Sequence, residues 1–236
     1  MPRRAADPTR DLLTSLVLVF PLLIIYQVGV LFTLPMLNGA DFLTTFLFHT
    51  VGLTVQGYLV FVGAVVLLFA LAMGSLRHKQ HFNPRMILPV LLESSVYALT
   101  MGSLIVLVMT KVLHISPKLA AALEGQGLVT RLVMSIGAGV YEELVFRLGL
   151  LAGLAWLFNR VLGAARWAAV LAAFALSAAA FSAVHHLPPY GDPFNVGIFT
   201  FRLLAGVFFG LLFWFRGFAV AVYTHALYDV YVLLVR

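Results

Sequence analysis

Glu142 and Glu143 are adjacent carboxylates, and Arg147 follows four residues later, all inside a stretch that is otherwise apolar. Each charge at the centre of a membrane helix costs about 2.5–3.5 kcal/mol on insertion scales, so three unpaired charges would cost roughly 8–10 kcal/mol. A chain that keeps such a cluster in lipid pairs it, uses it, or does both. On a regular helical turn Glu143 and Arg147 share a face and can form an ion pair, whereas Glu142 points about 100° away. The spacing therefore predicts a self-neutralised pair, Glu143 with Arg147, and one carboxylate, Glu142, left over. A spare carboxylate kept from bulk water suits general-base work near neutral pH. The competing reading is a charge cluster that only locks two helices together.

Two further polar fragments follow, each on its own apolar run. Phe181 and His185 share a helical face at i,i+4, and Pro188-Pro189 ends that run just beyond, which places His185 at the mouth of a cavity. His186 points elsewhere. His225 and Asp229 repeat the i,i+4 spacing inside the last apolar run, so both can face the same interior as Glu142. His49, His78, His81 and His114 lie in connections or at interfaces, with no constellation around them.

These fragments need a scaffold, and composition defines it. The 236 residues are 62% hydrophobic and 10% charged, against about 25% charged in soluble domains, and the mean hydropathy is +1.03. The chain reads as an integral membrane protein, one domain over residues 1–236. Without cysteine it has neither disulfides nor thiolate zinc sites. The net charge of +6 is not a nucleic-acid signature, because the basic residues sit in short connections between apolar runs, as orientation signals do.

The fold class expected is an all-α polytopic transmembrane bundle of about seven spans, six to eight being compatible. The spans fall at 12–34, 53–76, 86–110, within 128–158, 166–184, 195–214 and 218–235. Pro21 is expected to kink the first, and Asn83-Pro84 reads as the N-cap and first residue of the third. The 128–158 stretch is too long for one crossing, so its membrane portion is expected to begin near Gly137. An interfacial turn is expected around 42–48 and a surface amphipathic helix at 117–123. Glu93, in the third span, reads as structural. Arg202 reads as a residue that snorkels or meets a substrate carboxylate.

With the N-terminus inside, the inner side holds Arg3, Arg4, Arg10, Arg77, Lys79, Arg85, Arg160, Arg166 and Arg216. The outer side holds only Lys111, Lys118, Arg131 and Arg236, so this orientation in a bacterial-type inner membrane is favoured. Glu142 and His185 then lie toward the outer face.

Glu142-Glu143-…-Arg147, Phe181-…-His185 and His225-…-Asp229, in this order on successive apolar helices, resemble the motifs EExxxR, FxxxH and HxxxN or HxxxD. These belong to the CAAX-protease and bacteriocin-processing family of intramembrane proteases (CPBP, or Abi). The resemblance covers roughly residues 131–236. It implies that Glu142 and His185 hold and activate a water molecule, and that His225 with Asp229 polarises the scissile carbonyl or stabilises the oxyanion. Glu143, Arg147 and Phe181 would support the site. Asp229 stands where asparagine is the commoner residue. An asparagine amide donates to an oxyanion and an ionised aspartate does not, so Asp229 is expected to orient His225 or to stay protonated.

The implied reaction is hydrolysis of a peptide bond near the C-terminal or membrane-proximal part of a protein substrate, without a covalent intermediate. A metal-free, glutamate-dependent mechanism needing no cofactor is preferred. Zinc held by Glu142, His185 and His225 is the alternative, although HExxH is absent. The outward-facing site favours sorting-tail processing of exported proteins, as in sortase-like members. Prenyl-protein and bacteriocin-peptide processing are the other family activities. A proton-coupled transporter lined by Glu93, Glu142, His225 and Asp229, or a non-catalytic immunity or scaffold protein, stand outside the family reading. The expected partners are a membrane-associated substrate and the bilayer, with no nucleic acid; the sequence does not specify an oligomeric state.

Overall fold

The computed structural model describes residues 11–34, 36–38, 40–41, 44, 52, 54–78, 82–117, 126–187 and 191–235. Among them are seven helices and no strand: α1 (Leu12–Thr33), α2 (Val55–Leu76), α3 (Ile87–Lys111), α4 (Leu128–Val161), α5 (Arg166–Val184), α6 (Val196–Arg216) and α7 (Phe218–Val235). α1 to α6 are each long and apolar enough to cross a membrane, and α7 adds an 18-residue helix with the same apolar character. The chain is thus an all-α polytopic membrane bundle. The expected turn at 42–48 and the expected surface helix at 117–123 fall almost wholly outside the described residues.

Local chemistry explains where the helices begin and end. The side chains of Asp11, Thr54 and Asn195 accept the free N–H groups at the starts of α1, α2 and α6. Asn83 caps a short 3₁₀ turn, Pro84–Met86, that leads directly into α3, as the Asn-Pro pair predicted. Gly217, at φ 100°, takes the left-handed conformation that ends α6 and lets α7 begin one residue later.

α4 departs from a regular α-helix. It runs unbroken over 34 residues, Leu128–Val161, longer than a single crossing needs. The reason lies in its hydrogen bonding, which widens to i→i+5 over Ala138–Glu142, Leu144–Leu151 and Leu157–Val161. A wide turn advances less per residue than an α-turn, so more residues fit one helix of given length. Such stretches are rare and occur often at functional sites.

α7 is the central pillar. Its first turn and a half, Phe218 to Val222, is at most 3% exposed and packs against α1, α3, α4 and α6. Small residues allow this. A Cβ on Gly139 of α4 would stand 2.7 Å from Ala226 Cβ and 2.9 Å from the Val222 carbonyl oxygen, so α4 and α7 touch backbone to backbone. By contrast α2 buries only Tyr58 and packs on α1, while Val60, Leu68 and Leu71 face outward, as lipid-facing side chains do.

Candidate active site

The three motifs converge. Glu142 and Glu143 come from the wide-turned part of α4, His185 from the residue that closes α5, and His225 and Asp229 from the middle of α7. Glu142 is 7% exposed, His225 5%, and Glu143 and Arg147 are fully buried.

Arg147 Nε lies 3.1 Å from Glu143 Oε2, so the predicted i,i+4 pair forms even though the helix has widened. The guanidinium also donates from Nη2 to the Gly206 carbonyl of α6 at 3.4 Å. It sits 4.3 Å from the centre of the Phe181 ring and 5.3 Å from that of Phe209. A buried cation covered by two aromatic faces is stabilised where water is excluded. The Phe181 ring also makes T-shaped contacts with the rings of His185 (5.1 Å) and His225 (6.0 Å).

Glu143 does more than neutralise Arg147. Its Oε1 is 2.8 Å from His225 Nδ1. Asp229 approaches the other ring nitrogen, with Oδ2 3.7 Å from Nε2. The Gly139 contact draws α7 close enough to α4 for Glu143 to reach across. Phe209 stacks on the His225 ring at 4.3 Å and 16°, which fixes the ring plane. Nothing in the sequence singled out Phe209, one aromatic among twenty phenylalanines.

His185 is held by the end of its own helix. Its Nδ1 is 2.7 Å from the Phe181 carbonyl oxygen, one of the carbonyls that a helix C-terminus leaves without an internal partner. α5 is tied to its neighbours by Ser177, which donates to the Phe146 carbonyl at 2.6 Å, and Ser182, which donates to that of Phe199 at 2.7 Å.

Partner types settle the tautomers. A carbonyl oxygen and a carboxylate paired with arginine only accept, so Nδ1 is the donor on both histidines. Their Nε2 atoms then carry lone pairs when the rings are neutral. Both face Glu142 Oε2, at 3.5 Å from His185 and 3.9 Å from His225, and that oxygen accepts no hydrogen bond from the described residues. Three acceptors converging in a buried pocket are satisfied by a donor among them, a water molecule or a proton on a ring. Glu142 Oε1 is engaged from an unexpected quarter: the Asn38 amide, on the connection after α1, lies 3.4 Å away. Among the described residues no group of three or more His, Cys, Asp or Glu side chains is arranged to hold a metal ion.

The remaining polar residues find partners elsewhere. Glu93 pairs with Arg216 at 2.5 and 2.9 Å and accepts from Tyr97 at 3.0 Å, near the end of α6. Arg202 pairs with Asp192 at 2.7 Å, on the connection between α5 and α6.

Fold and site together define a polytopic membrane protein with a buried acid–histidine centre built on three helices. Residues 124–231, just under half of the chain, match the family model described as Rce1-like, type II CAAX prenyl endopeptidase Rce1-like. The match falls on the part of the chain that carries the three motifs and points to the CPBP/CAAX protease family that they resemble. No curated protein and no solved structure matches the chain.

Proposed function

We propose that the chain is an intramembrane endopeptidase in which Glu142 and His185 activate a water molecule for attack on a peptide bond near the C-terminal, membrane-proximal end of its substrate. The observation that supports this reading is the convergence of Glu142 Oε2 with two histidine Nε2 atoms. A water there donates one proton to the carboxylate and one to a ring, leaving its lone pair free to attack. Glu142 takes the proton as the tetrahedral intermediate forms and returns it to the leaving amine. His225, carrying a second, solvent-derived proton on Nε2, donates a hydrogen bond to the oxyanion and keeps that proton through the cycle. Asp229, 3.7 Å from that nitrogen, steadies the added charge. Glu143 holds the His225 tautomer, and Arg147 pairs with Glu143. No step needs a metal or a covalent intermediate.

For the substrate, two classes have separate support. Residues 124–231 match a prenyl endopeptidase family, which favours a prenylated protein. The excess of basic residues in the connections at the opposite end supports a site that opens outside the cell, which favours the C-terminal tail of an exported protein. Two internally quenched peptides separate them, one with a farnesylated cysteine near its C-terminus and one with a hydrophobic, basic-ended tail. They are offered to purified protein in lipid vesicles, alongside a reporter fused at residues 191–194. Cleavage of the prenylated peptide with a cytoplasmic reporter selects the first class, and cleavage of the tail peptide with an external reporter selects the second. Full activity in Glu142→Gln would sink the mechanism.

A further inference from the structure

The connection after α1 folds into the bundle and brings an amide to the site. Asn38 is 8% exposed and Asp41 fully buried. The Asn38 backbone N–H donates to the Tyr26 hydroxyl at 3.1 Å, and its carbonyl accepts from the Asp41 N–H at 3.0 Å. Tyr26 in turn donates to Asp41 Oδ2 at 3.1 Å and packs on Gly137, five residues before Glu142. Asn38 Oδ1 accepts from the Ala40 N–H at 2.9 Å. That last bond decides the orientation of the side chain: with Oδ1 committed as an acceptor, Nδ2 is the end that faces Glu142 Oε1.

We infer that Asn38 is a positioning residue for Glu142. This rests on the reading of Glu142 as the base. A carboxylate has two equivalent oxygens and free rotation about its last bond, so nothing in Glu142 itself selects which oxygen meets the histidines. The Asn38 amide selects Oε1 and leaves Oε2 toward the two Nε2 atoms. It is also a neutral donor, adding no charge to a pocket that already holds Glu142 and Asp229. The part of the chain upstream of the three motifs thus contributes to the site.

The test uses Asn38→Asp, which keeps Oδ1 for Ala40 but removes the donor, and Asn38→Ala. Both are assayed with the quenched peptide that the wild type cleaves. Loss of one hydrogen bond to a charged group predicts a fall in kcat of about 10- to 100-fold. KM should stay within about twofold, because the bond is to the base and not to substrate. In a Glu142→Gln background, Asn38→Ala should cost nothing further, since the group it positions is gone. Wild-type kcat in the single variants, or an undiminished additive loss in the double variant, overturns the inference while leaving the role of Glu142 standing. Wild-type activity in Glu142→Gln alone overturns the reading beneath it. Should Asn38→Asp not be recovered folded, Asn38→Ser carries the same kcat-against-KM criterion.

Discussion

Glu143 is bound by two partners of opposite demand, an arginine that needs its charge and a histidine that needs an acceptor. Removing one member of a buried ion pair strands the other, at about 3–5 kcal/mol. Glu143→Gln and Arg147→Met are each expected to lower the thermal midpoint in detergent. The double variant, with no stranded charge, should recover most of that stability while staying inactive, because His225 has lost the carboxylate that sets its tautomer. Recovery of both stability and activity in the double variant would reduce Glu143 to a structural role. Asp41, on the connection after α1, titrates with the opposite tendency to an exposed carboxylate. Burial raises its pKa despite the hydrogen bonds from Thr44 and Tyr26. The folded chain then holds this proton more tightly than the unfolded one. Its contribution is full at low pH and is lost as pH rises from the ordinary carboxylate range through the folded value. A thermal midpoint followed from about pH 4 to 8 should fall more steeply for the wild type than for Asp41→Asn.

At the scale of elements, the seam between α4 and α7 decides whether the site assembles. A Cβ at Gly139 would meet backbone atoms of α7, 2.8 Å from Ala226 N and 2.9 Å from Val222 O, and backbone yields poorly. Gly139→Ala is predicted to destabilise by about 1–3 kcal/mol and to reduce activity by moving His225 off Glu143. Gly153→Ala, in the same helix with nothing within 4 Å of the added atom, is the control and should be neutral. Equal behaviour of the two variants, read by thermal midpoint and peptide cleavage, would show that the seam tolerates separation. The wide turns of α4 belong to this scale as well. They were not legible beforehand, because apolar periodicity over Gly137, Val140 and Leu144 reads equally as α-helix when a hydrogen-bond register shifts by one residue.

Across the whole molecule, the site gathers residues from the connection after α1, from α4, from the end of α5 and from α7. A bundle whose chemistry rests on Glu142 and a water molecule should keep cleaving after exhaustive dialysis against a chelator. Loss of activity restored by zinc would instead bring in the ligand set of Glu142, His185 and His225.

By itself the sequence determined the class of molecule and the helices that carry the chemistry. Long apolar runs have no other solution in lipid than helices, and i,i+4 spacing puts Glu143 with Arg147, Phe181 with His185 and His225 with Asp229 whatever surrounds them. The tertiary structure decided how those pairs face one another. Which carboxylate holds His225, which phenylalanine stacks on it, and that Asn38 reaches Glu142 across 104 positions of chain all depend on interhelix distances. Those distances are set by close approaches at Gly139 and Gly137 and by a connection folded into the bundle, none of which leaves a periodic trace in the order of residues.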